Sequence, residues 1–168
     1  KQVRARVPDA AGNQSAVATV ATVLDMTPPG SPTLAIAQGR FVRTAAVTAN
    51  LSAVGADEYK LDVVDVDGSR QAGDWLPYAT SASLTLPSTQ EGVKQVEATF
   101  RDLAGNVAGP VAAQVTLDTR APTDGSITVQ SGAYTTSTTV VVSLGALGAT
   151  RMKVAADGVV DTESWEPY

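Results

Sequence analysis

The side chains with chemistry to offer are mostly carboxylates: the chain carries 17 Asp and Glu residues, no cysteine and no histidine. That excludes disulfides, thiolate or imidazole metal ligands and every His-dependent catalytic triad. Hard oxygens suit a cation such as Ca²⁺, and two places gather them. Asp102-x-x-Gly105-Asn106 has an acid and carbonyls that could surround calcium. The same residues make a hairpin turn, in which Asp accepts backbone amides while Gly and Asn tolerate positive φ. The turn is the favoured reading, and Asp9, Gly12 and Asn13 repeat it. The second place is a proline-bearing linker beside Asp25 or Asp118, which Asp65-Val66-Asp67-Gly68 or Asp102 could approach from a loop. Asp25, Asp65, Asp67, Asp102 and Asp118 are therefore the calcium candidates. Their spacing matches no strict calcium loop, and a solvated acidic loop is the simpler account.

Acid–base catalysis by paired carboxylates needs surroundings that separate their pKa values. Asp62 and Asp65 fall on a strand or at its end with no pocket in view, and they read as surface. Trp75-Leu76-Pro77-Tyr78 could present rings to a sugar. Its return as Trp165-Glu166-Pro167-Tyr168 favours Trp75, Tyr78, Trp165 and Tyr168 as caps on a hydrophobic core. The run Tyr134–Thr139 could be an O-glycosylated stretch, but it aligns with the loop and start of a strand, where Thr is simply a good strand former. Neither an enzyme nor a cofactor is predicted.

What positions these residues is a repeat. Lys1-Gln2-Val3 through Asp9-Ala10-Ala11-Gly12-Asn13 returns as Lys94-Gln95-Val96 through Asp102-Leu103-Ala104-Gly105-Asn106, 93 positions on. Leu24-Asp25 returns as Leu117-Asp118, Pro29 as Pro122, Leu51 as Leu144 and Lys60 as Lys153, still 93 apart. A three-residue gap then brings the offset to 90, at which Asp67-Gly68 matches Asp157-Gly158 and Trp75 matches Trp165. A period of that length is a domain. The spacing predicts a complete unit at 29–121, the C-terminal part of a unit at 1–28 and the N-terminal part of a third at 122–168. The strands missing from the partial units are expected from continuation of the polypeptide or from a neighbouring chain.

Within 29–121 the apolar period is two almost throughout. Candidate strands are Thr33–Ala37, Ala45–Ser52, Glu58–Asp65, Ser81–Leu86, Lys94–Arg101 and Val111–Leu117, with a short one around Trp75. Val47, Ala49 and Leu51 share one face, as do Tyr59, Leu61 and Val63, and Val96, Ala98 and Phe100. Val, Ala, Leu, Thr and Ser carry the composition, with aromatics at only 5%. Several short strands separated by Gly, Pro and Asp turns predict an all-β fold: tandem immunoglobulin-like or fibronectin-III-like β-sandwich domains, one complete and two partial. A net charge of −5 without basic runs argues against nucleic acid as partner. No apolar stretch reaches the roughly 20 residues of a membrane helix, so no membrane insertion is expected of this segment.

Asp102-Leu103-Ala104-Gly105-Asn106, ahead of a strand ending Leu117-Asp118-Thr119-x-x-Pro122, resembles the bacterial Ig-like tandem repeats of large surface proteins and adhesins. The resemblance covers the whole chain. It implies an extracellular or cell-surface protein in which such units extend or present something else, with neighbouring Ig-like domains of the same or another chain as partners. Some repeats of this kind rigidify their linkers with calcium, which is what directs attention to the junction aspartates. The expected function is a non-enzymatic structural spacer. The alternatives are an adhesive module binding glycan or host protein, and an accessory domain of a secreted enzyme.

Overall fold

The computed structural model describes residues 1–156, 158–160 and 162–168. Among these residues the regular structure is all β, with no helix. In chain order the strands are β1 Gln2–Ala5, β2 Ala18–Ala21, β3 Gly30–Ile36, β4 Phe41–Val42, β5 Ala46–Val54, β6 Glu58–Val64, β7 Arg70–Gln71 and β8 Leu76–Pro77. They continue with β9 Ser81–Thr85, β10 Gly92–Arg101, β11 Val107–Leu117, β12 Thr123–Val129, β13 Val142–Leu147, β14 Arg151–Met152 and β15 Glu166–Pro167. The chain divides into two compact units, Lys1–Thr119 and Arg120–Tyr168.

In the first unit, one sheet runs β4-β11-β10-β6-β7 with β8 also on β6, and a second runs β3-β5-β9. All pairings are antiparallel except that of β4 with β11. Period-two patterning turns Val96, Ala98 and Phe100 of β10 toward Val47, Ala49, Leu51 and Ala53 of β5, and all seven are buried. Val47 packs with Val63, Val96, Val115 and Leu117, whereas Ala49, Leu51 and Ala82 pack with Tyr59, Ala98 and Phe100. Each cluster thus draws from both sheets, the arrangement by which two sheets bury their apolar faces against one another. The six expected strands of 29–121 are present with shifted ends. The short one falls just past Trp75, at β8.

Strand pairing recurs at the sequence period. Leu34↔Leu51 and Ile36↔Ala49 of β3–β5 become Ile127↔Leu144 and Val129↔Val142 of β12–β13. Val96↔Ala113 and Ala98↔Val111 of β10–β11 are matched by Val3↔Val20 and Ala5↔Ala18 of β1–β2. Tyr59↔Leu76 of β6–β8 returns as Met152↔Glu166 of β14–β15. The register break between Gly30 and Thr33 reappears between Thr123 and Ser126. So does an uncommon backbone: among the described residues, Ser31 at φ 48° and Asp124 at φ 54° are the non-glycine residues with positive φ.

One boundary differs from expectation for a physical reason. β5 begins at Ala46 and pairs with β9 over Ala46–Asn50, but with β3 only at Gly30 and from Ala49 to Ser52. Among the described residues of Arg120–Tyr168 no strand stands where β9 does, and β13 starts at Val142, beyond Thr135–Thr139. The Asp157 of the sequence match lies outside the described residues.

Candidate functional sites

The Asp-x-x-Gly-Asn turn is built alike in both copies. Asp102 Oδ1 accepts the Asn106 amide at 2.9 Å and Oδ2 accepts Asn106 Nδ2 at 2.8 Å, while Gly105 N donates to Asp102 O at 3.1 Å. Asp9 accepts Asn13 N at 2.8 Å and Asn13 Nδ2 at 2.9 Å, and Gly12 N donates to its carbonyl at 3.0 Å. Gly105 and Gly12 sit at φ 88° and 89°, which the turn requires and a Cβ would strain. The asparagine side-chain amides lead the hydrogen bonds that hold both carboxyls below their ordinary pKa.

Asn106 also reaches across the linker. Its Nδ2 donates to the Asp25 carbonyl at 3.3 Å, and Asp25 Oδ1 accepts Thr27 N at 3.0 Å. The turn following β10 therefore touches the segment that follows β2. Asp118 lies after β11, its amide bonded to Val42 O at 3.0 Å. Asp67 Oδ1 accepts Ser69 N at 2.9 Å, and the Ser69 bonds lead in lowering its pKa. Among the described residues no three acidic side chains are grouped so as to hold a metal ion. Both carboxylate oxygens of Asp102 are engaged by Asn106, whose side-chain amide makes the bond to the Asp25 carbonyl. The melting midpoint is accordingly expected to be equal in millimolar calcium and in chelator. A calcium-dependent rise that Asp25→Asn removes would show instead that carboxylates make the junction.

Asp62 and Asp65 correct the sequence reading: both are buried. Asp65 and the wholly enclosed Lys94 form an ion pair, with Lys94 Nζ also donating to Gln90 O at 2.7 Å and Val66 N to Asp65 Oδ1 at 2.6 Å. Asp65 is in phase with Tyr59, Leu61 and Val63, and Lys94 with Val96, Ala98 and Phe100. Their inward direction was thus written in the strand period, and charge argued against it. Asp62 points to the other face and is covered later in the chain. Gly73 N donates to Asp62 Oδ1 at 3.0 Å, Arg70 to Oδ2 at 2.9 Å, and Lys60 lies 3.2 Å from Oδ2. A Cβ on Gly73 would stand 2.1 Å from Leu61 O, so only glycine permits this approach. Burial pushes the Asp62 carboxyl up, but the Gly73 amide, Lys60 and Arg70 together outweigh it and leave the pKa lowered. Arg70 further bonds Glu97 at 2.7 Å and thereby lowers that carboxyl.

Around the aromatic pair, Tyr78 packs on the second core cluster, its ring 6.3 Å from Phe100 and its Oη accepting Ala53 N at 3.2 Å. Trp75 is half-buried, with the Arg101 guanidinium 4.3 Å over its ring and Arg101 in turn paired with Glu58. One face of Trp75 is therefore taken by a cation. Tyr168 repeats the bond of Tyr78, accepting Ala146 N at 2.8 Å. Trp165 and Tyr168 nevertheless remain 57% and 47% exposed, and neither belongs to a core cluster. Lys153 stands 5.4 Å over Trp165. No protein-family model matches the chain, and the search of curated proteins gave no match.

Proposed function

We propose that this chain is a non-enzymatic spacer segment of a bacterial extracellular protein, a surface adhesin or filament built from tandem immunoglobulin-like domains. In this reading 29–121 is one complete domain, and 1–28 and 122–168 are the back and front of its neighbours. The observation that carries it is the register. The pairs of β1–β2, β12–β13 and β14–β15 are those of β10–β11, β3–β5 and β6–β8 displaced by the sequence period. A structure that reuses one unit gains length by stacking. Proline at the linkers, with Asn106 bonded to Asp25, limits bending between neighbours.

The ionisable groups support the same reading. Asp9, Glu58, Asp62, Asp67, Glu97 and Asp102 all have lowered pKa values, the wrong direction for a general acid at neutral pH. Arg101 occupies one face of Trp75, where a sugar ring would stack. A glycan array probed with the chain is expected to stay silent. A signal that Trp75→Ala abolishes would replace the spacer with an adhesive module.

A further inference from the structure

We propose that Asp124-Gly125 is a site of spontaneous covalent modification, at which the Gly125 amide closes on the Asp124 side chain to a succinimide that opens to isoaspartate. The Gly125 nitrogen attacks Asp124 Cγ, a C–N bond forms, and the carboxyl OH leaves with the amide proton as one molecule of water. Water then adds back to either carbonyl of the ring. It restores aspartate or yields isoaspartate, in which the main chain runs through Cβ and Cγ. Solvent is the only co-reactant.

The reaction needs a backbone nitrogen whose N–H the fold does not employ, and the repeat identifies one. Thr123, Asp124, Gly125 and Ser126 stand 93 positions after Gly30, Ser31, Pro32 and Thr33, and β12–β13 breaks register over the same residues as β3–β5. Proline has no N–H, so at the place of Gly125 this backbone donates no hydrogen bond in Lys1–Thr119. The Gly125 amide is therefore surplus to the ladder. Its attack is unscreened as well, since nothing lies within 4 Å of where a Cβ on Gly125 would stand. Asp124 is exposed at φ 54°, and Ser31 is exposed at φ 48°, so this position lies in water in both units. Among the described residues the Asp124 carboxyl accepts one hydrogen bond, a long one of 3.4 Å from Thr123 Oγ1.

The chain carries its own comparison. Asp67-Gly68-Ser69 has the same three residue types as Asp124-Gly125-Ser126, so local sequence gives the two no reason to differ. Structure does. Gly68 N donates to Asp65 O at 3.0 Å, and Asp67 Oδ1 accepts Ser69 N at 2.9 Å, so both reacting groups are held. The Ser69 bonds also favour the ionised carboxylate, whereas the reaction consumes the protonated form. A hydrogen bond that must first be broken is worth roughly tenfold in rate.

Isoaspartyl methyltransferase labelling and electron-transfer fragmentation of the full chain, aged in warm, mildly acidic buffer, test this. Succinimide, read as the loss of one water, and isoaspartate are expected at Asp124 at roughly tenfold their level at Asp67. In urea the two Asp-Gly-Ser stretches should react alike. Gly125→Pro copies Ser31-Pro32 and removes the attacking N–H, so it should abolish the modification at Asp124 and leave Asp67 as in the parent. The same backbone already seats a proline in Lys1–Thr119, so this variant should keep the parent's circular dichroism. Equal or greater reaction at Asp67, an Asp124 that stays unmodified, or modification of Asp124 that survives Gly125→Pro overturns the inference. The ratio of the two sites in the parent chain decides the matter without any substitution.

Discussion

Lys94→Ala is expected to cost Lys1–Thr119 about 3–5 kcal/mol of folding stability, the usual penalty for removing one partner of a buried ion pair. Lys94 has no exposed surface, and its ammonium is shared between Asp65 and the Gln90 carbonyl. Alanine would leave the Asp65 carboxylate, itself buried, without its counter-charge. Domains are stable by only about 5–15 kcal/mol, so the variant should sit near the edge of folding. The urea midpoint reports the loss. Replacing the pair together, Lys94→Met with Asp65→Leu, should recover most of it, because an apolar pair of similar volume pays no desolvation. A single substitution costing less than about 1 kcal/mol would mean that water reaches the pair, as at surface salt bridges.

Phe100→Ala is expected to cost a similar amount, about 3–5 kcal/mol, through lost burial and the cavity left behind. The ring packs on Leu51 and Ala53 of the opposite sheet and clusters with Tyr59 and Tyr78, so little can collapse into the gap. For a domain near 100 residues the corresponding fall in melting temperature exceeds about 10 °C. The informative control is Val7→Ala at the equivalent place of the first copy, two residues past the end of β1, where the side chain is mostly in water. It should leave melting almost unchanged. Equal losses at the two sites would mean that β1–β2 is covered within the single chain.

The contrast between Phe100 and Val7 marks what a sequence of this kind reveals. Alternation located β5, β6 and β10 and the inward residues on each, because a strand face is fixed by parity alone. The Asp9 and Asp102 turns were legible because their bonds lie within five residues. Asp65 was in phase with the core, yet it was read as surface, since a lone buried charge is costly and its partner Lys94, 29 residues away, cannot be seen from its position. Asp62 is out of phase, and its cover depends on a loop that brings Arg70 and Gly73 back over β6. The bond from Asn106 to Asp25 spans 81 residues and follows no local pattern. Trp165 repeats the sequence around Trp75 but not its setting, in which Arg101 of β10 covers the ring and Phe100 stands against Tyr78.

The central claim is that one β unit is used repeatedly to make length. Small-angle X-ray scattering from one, two and three consecutive copies of 29–121, joined by the natural linker, tests it most directly. β10 and β11 run 10 and 11 residues. At about 3.4 Å per residue, each added unit should lengthen the maximum dimension by a constant increment of about 35–40 Å. A dimension that rises far less with each copy, as for units folded back on one another, would contradict it.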